Sequence, residues 1–164
     1  MSLNTRIDLN IGATLLDSLD LSSESKVALS IAKAIVLANG TDDGECDVMW
    51  FDSRTIPIST NDDLDLDNLM LGDRPISFAK IKIMHIYSLP ANVNTIVVGG
   101  SASPFVGWVA AGGDAINVQP GGMQFLVAPN AGYPVTPVTG NVLRLANGSG
   151  SAVDYEIALF GTSV

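Results

Sequence analysis

The sequence predicts an all-β chain, a jelly-roll-like antiparallel β-sandwich with an extended N-terminal segment, and three observations predict it. From Asp47 onward, apolar and polar residues alternate in short runs, the period-2 signature of strands with one buried face. Clusters of Gly, Pro, Asn and Asp separate those runs, as turns do. The chain has 164 residues and one cysteine, enough length to bury a single core without any internal disulfide.

Residues 1–24 mix Asn, Asp and Ser with isolated Leu and carry no sustained period, which suits either an extended arm lying on a neighbour or an edge strand with a loop. Residues 25–164 then form one sandwich domain, since no repeat, low-complexity tract or linker divides them. The first element, 27–37, is ambiguous. Ser22 or Ser23 would cap a helix and Asn39-Gly40 would end it, yet Val27, Leu29, Ile31, Ile35 and Leu37 sit on alternate positions, which favours a strand.

Val48 to Ile56 reads as a strand with Asp52 and Arg54 on one face, an internal ion pair. Asp62, Asp63, Asp65 and Asp67 alternate with Leu64 and Leu66, as in a strand edge whose leucines point inward. Ile76 to Tyr87 has apolar residues on both faces, so it predicts a central strand or one covered on both sides. Thr95 to Val98 is a further strand before Gly99-Gly100. Ile116 and Val118 lead through Pro120-Gly121-Gly122 to Met123, Phe125 and Val127, a tight reversal between strands. Leu143 and Leu145 lead through Asn147-Gly148-Ser149-Gly150-Ser151 to the alternating run Val153 to Phe160, which reads as a final antiparallel hairpin.

Charge narrows the partners. A net charge of −9 with only eight scattered Lys and Arg argues against nucleic acid and against anionic membrane surfaces. No apolar leader opens the chain, and the run 27–38 is broken by Ser30 and Lys33, so neither a signal peptide nor a transmembrane helix is expected. Only 15% of residues are charged while 47% are hydrophobic, and mean hydropathy is positive. So sparsely charged a surface is economical if other subunits cover part of it.

The residues offer little chemistry. His85 shares a strand face with Ile81 and Ile83, and a hydrogen-bonded or interface histidine fits it better than a catalytic one. One His and one Cys cannot build a zinc shell, and Cys46 reads as an inert small side chain. The acidic group Asp42, Asp43, Glu45 and Asp47 around Gly44, like the Asp62 to Asp67 group, departs from the twelve-residue calcium loop. Neither Val98-Gly99-Gly100-Ser101 nor Pro120-Gly121-Gly122 has the lysine of a phosphate loop. No nucleophile elbow is present. The expectation is therefore a non-enzymatic chain with no catalytic, cofactor-binding or metal-binding residues and no cofactor.

From about residue 40 the chain carries, in order, Phe51-Asp52-Ser53-Arg54-Thr55, Leu64-Asp65-Leu66, Phe78-Ala79-Lys80-Ile81-Lys82, Val98-Gly99-Gly100, Pro120-Gly121-Gly122, Leu126-Val127-Ala128-Pro129, Leu145-Ala146-Asn147 and Gly161-Thr162-Ser163. Singly these are turn and strand signatures. In this order they resemble a group of small virion structural proteins of tailed bacteriophages, over more than half the chain; the N-terminal third does not match. The resemblance implies a capsid decoration or cement protein, made in the host bacterial cytoplasm and placed on the capsid surface. Its partners would be the major capsid protein and further copies of itself, as a homotrimer by analogy with decoration proteins on local threefold positions. The alternative is a tail or fibre component that binds a host-surface glycan through Trp50, Trp108, Tyr87 or Tyr133.

Overall fold

The computed structural model describes residues 2–19 and 23–163, and side chains outside 16–25. It is all-β. Thirteen antiparallel strands are described: β1 Thr5–Leu19, β2 Ser23–Leu37, β3 Val48–Ile56, β4 Asn61–Asp65, β5 Leu69–Leu71, β6 Arg74–Ile76, β7 Phe78–Ser88, β8 Ile96–Gly99, β9 Ala115–Val118, β10 Met123–Val127, β11 Tyr133–Pro134, β12 Val142–Asn147 and β13 Val153–Ser163.

Two sheets make the sandwich. One runs β10-β7-β13-β3, with β11 added to β7; the other runs β4-β12-β8-β9. Their inward residues form one core, to which Trp50 and Ile56 of β3, Met84 and Ile86 of β7, Leu143 and Leu145 of β12 and Ile157 and Leu159 of β13 all contribute. Alternation explains the membership: along β12 and β13 every second side chain is buried. The small hairpin β5-β6 closes one end, where the indole Nε1 of Trp50 donates to the Met70 carbonyl at 2.9 Å.

Polar ties lock the sheets together. The Tyr155 hydroxyl and the Arg54 guanidinium both donate to the Asp62 carboxylate, at 2.9 and 2.6 Å, joining β13 and β3 to β4 of the other sheet. Arg54 also reaches Asp52 at 3.0 Å, the ion pair expected from their spacing. Buried Asn147 donates to the carbonyls of Pro57 and Ser151 at 3.0 and 2.9 Å, fixing the turn after β12.

The observed pairing corrects two expected hairpins. β12 pairs with β4 and β8, and β13 with β3 and β7, so the 147–151 turn carries the chain from one sheet to the other. The reversal at Gly121, whose φ of 72° suits glycine, likewise joins β9 of one sheet to β10 of the other. In both places consecutive strands belong to sheets facing each other across the core; β12 and β13 keep their inward apolar alternation, whereas in β10 Met123 and Phe125 face outward and Gln124 is buried.

The N-terminal segment differs most from expectation. Residues 27–37 are strand, as the alternation favoured, but β2 pairs with β1 alone, from Thr5 opposite Leu37 to Leu19 opposite Ser23. The arm expected over 1–24 therefore includes a return strand that ends at Leu37. Met1 and residues 20–22 of that expected arm, Ser22 included, lie outside the described residues.

Candidate interaction surface

Two surfaces with exposed apolar side chains extend from the same small cluster. In β1-β2, directly opposed residues share a face. One face carries Ile7 with Ile35, Ile11 with Ile31, Ala13 with Leu29 and Leu15 with Val27. The other carries small or polar residues such as Asp8 with Ala34, Asn10 with Ala32 and Gly12 with Ser30.

Among the described side chains, only the base of the apolar face is packed. Ile7 and Ile35 join Leu3, Leu37, Cys46, Ile83, Val127 and Phe160 in a second core cluster on the outer side of the β10-β7-β13-β3 sheet. Farther out the aliphatic side chains face solvent; Leu15 is 66% exposed and Val27 61%. Strands of this length span roughly 50 Å at about 3.4 Å per residue. A lone two-stranded ribbon is marginal in water, and each arm strand also leaves one edge unpaired.

The second face is the rest of that outer sheet surface. Register places Phe51 beside Ala158, Ala158 beside His85 and His85 beside Phe125, in a row across four strands. The rings of His85 and Phe125 meet edge to face with centroids 6.1 Å apart. Phe51 is 55% exposed and Met123 63%. Between them lies a shallow concavity of about 480 Å³ lined by Phe51, Ser53, His85 and Glu156.

A bulge sets where the arm leaves the domain. The β7-β13 register shifts between Phe160 and Gly161, leaving Lys82 as the extra residue of β7. Glycine is needed at 161, because a Cβ there would collide with the Lys80 carbonyl. Lys82 is fully buried, and its ammonium donates to the main-chain carbonyls of Asp42 at 3.2 Å, Pro129 at 3.1 Å and Asn130. It thereby staples the loop after β2 to the loop after β10. In the same region Glu45 accepts the Asp42 N–H at 3.0 Å and Asp47 accepts both the N–H and the hydroxyl of Ser163.

Both acidic groups thus serve as local fastenings. In the second, Asp63 takes a two-pronged contact from Arg144 at 2.7 Å, and the guanidinium holds its carboxyl below the usual carboxylate range. Asp65 accepts the Asn141 amide at 2.7 Å, and Asp67 the Ser77 hydroxyl at 2.6 Å. Leu64 and Leu66 point inward, as expected. Among the described residues no three His, Cys, Asp or Glu side chains gather as metal ligands. Cys46 is buried, and burial pushes its thiol pKa up, away from reactivity.

The four aromatics considered as glycan platforms do not converge. Trp50 is in the core, and Trp108 and Tyr133 pack against it from its margin. Tyr87 belongs to the outer face, on β7 six residues from the partner of Tyr133, a strand distance of roughly 20 Å. The side chains at the concavity that sequence reasoning missed are Phe51 and Glu156; period 2 puts both on the outward face of strands it recognised. Comparison with protein-family models, curated proteins and solved structures finds no match for the chain.

Proposed function

We propose that this chain is a virion structural protein of a bacteriophage, of the capsid decoration or cement type, that acts by binding and not by turnover. The observation that carries the reading is the arm: two fifteen-residue strands whose apolar face is, among the described side chains, packed only at its base. A soluble monomer gains nothing from such a surface, whereas a subunit that reaches its neighbours needs one. The order of the motifs from Phe51 to Ser163 supports the same reading.

On this reading the sandwich sits on the capsid surface, a homotrimer being the favoured form. Many copies contact the major capsid protein, and modest contacts repeated over the lattice stabilise the head through high effective concentration. The test is mass spectrometry and electron microscopy of purified heads and tails. The chain is expected in heads, at a copy number matched to the lattice; absence from both fractions overturns the proposal.

A second reading, a tail or fibre module that binds a host-surface glycan, draws on the concavity beside Phe51, which brings an aromatic ring, a histidine and a carboxylate together. It predicts glycan-array binding that Phe51→Ala abolishes, and presence in tails.

A further inference from the structure

We infer that copies of this chain exchange arms: the apolar face of one copy's β1-β2 ribbon lies across the outer face of a neighbouring copy's β10-β7-β13-β3 sheet. This rests on the reading of the chain as a self-associating subunit, but not on what the assembly attaches to. Three observations select a second copy as the occupant.

The first is continuity. Both faces extend from the cluster of Ile7, Ile35, Ile83 and Phe160, which already joins an arm's base to the end of this sheet surface. Arm on sheet is therefore a contact the chain makes once within itself, and exchange repeats its chemistry farther out on both partners.

The second is area. The free part of the arm's face among the described side chains, residues 9–15 with 27–33, measures roughly 24 by 10 Å, a footprint of about 240 Å². A copy that gives one arm and receives another covers about twice that in total, shared between its contacts with its neighbours, where a stable interface takes roughly 800 Å² per partner. Arms stacked only on arms would bury about half as much.

The third is charge. Among the described side chains, Lys33 is the one charged group on the arm's apolar face, and it forms no ion pair there. Glu156, at the concavity, forms none either. Exchange gives each a partner within the new contact. Each subunit then donates one surface and accepts on a different one, an arrangement that closes into a ring when the rotation permits.

Light scattering coupled to size exclusion of the full chain tests this. The wild type is expected to be oligomeric. Leu15→Glu with Val27→Glu on the arm, and separately Phe51→Glu with Met123→Glu on the sheet, are each expected to dissociate it. All four sites are exposed in the single chain, so thermal unfolding of the monomer stays as a control on folding. The dissociation constant should rise about 10-fold or more for each apolar contact turned into a carboxylate, since each 10-fold step is ~1.4 kcal/mol.

Glu156→Lys alone should weaken assembly, and adding Lys33→Glu should restore it. A monomeric wild type overturns the inference. So does dissociation by the arm pair but not the sheet pair, which would assign the arm to another arm or to a different protein. Monomeric chain still bound to heads sinks arm exchange and leaves the particle reading intact; an arm-exchanged oligomer missing from particles does the reverse.

Discussion

The sandwich and the arm are written in the same alternating code, yet one is closed and the other open. In β12 and β13 the inward residues, Leu143 and Leu145 on one side and Ile157 and Leu159 on the other, find the opposite sheet waiting, and all are buried. In β1 and β2, Ile11, Leu15, Leu29 and Ile31 alternate just as regularly and meet nothing beyond the base cluster. Strand formation is thus a local property of the pattern, whereas burial is a property of what lies across from it. A chain can advertise an interface by writing core-like alternation where it supplies no second layer.

If that contrast is real, equal truncations should have very unequal effects. Leu159→Ala removes a fully buried side chain from the shared core and should cost about 2–5 kcal/mol, read as a lowered denaturant midpoint. A cost under about 1 kcal/mol would mean that the sandwich core is no tighter than the arm and would remove the comparison.

The junction between the regions comes next. Lys82→Met keeps much of the stem but removes the ammonium from three main-chain carbonyls, of which those of Asp42 and Pro129 retain the N–H groups of Glu45 and Gly44, at a cost of about 1–3 kcal/mol. Faster hydrogen exchange at residues 39–46, with the β12-β13 core unchanged, would show that the staple governs how firmly the arm is rooted. Uniform loss across the whole chain would assign Lys82 to the sandwich as such.

Tyr155 sharpens the other side of the contrast, because its titratable hydroxyl is held inside the closed core. Burial first, and then the neighbouring Asp62 carboxylate, hold its phenol above the ordinary value of about 10. A pKa raised on folding favours the neutral phenol, so this contribution is complete below about pH 10 and is lost as pH climbs above it toward the folded value. Tyr155→Phe should cost about 1 kcal/mol at neutral pH. It should also flatten the fall in stability above pH 10; an unchanged alkaline slope would contradict the assignment.

Much of the sandwich was legible in the sequence because burial on one face imposes period 2. The run 48–56 matches β3, and the two-faced run through Ile83 is the central β7, covered on its outer side by the arm's base. Pairing was less legible. Strands facing each other across a core carry the same alternation as strands side by side in one sheet, and Gly-rich turns serve both; β12-β13 and β9-β10 were therefore read as hairpins. The first arm strand was left open between an extended arm and an edge strand although Ile7, Leu9, Ile11 and Leu15 alternate, because Asn10, Gly12 and Ala13 dilute the contrast. Lys82 was unreadable, since its burial follows from a bulge that only the Gly161 contact explains.

The smallest effect is the most telling. Leu15→Ala removes as many atoms as Leu159→Ala, but from a side chain already largely in water. Within the single chain it should alter stability by no more than about 0.5 kcal/mol. Measured at concentrations where the chain associates, the same substitution should weaken assembly, because the lost methyl groups are then removed from a contact and not from solvent. A stability change in dilute monomer as large as that of Leu159→Ala would mean that the arm folds back onto its own sandwich. Its apolar face would then be covered within one chain, and the alternation in β1 and β2 would need no neighbour to explain it.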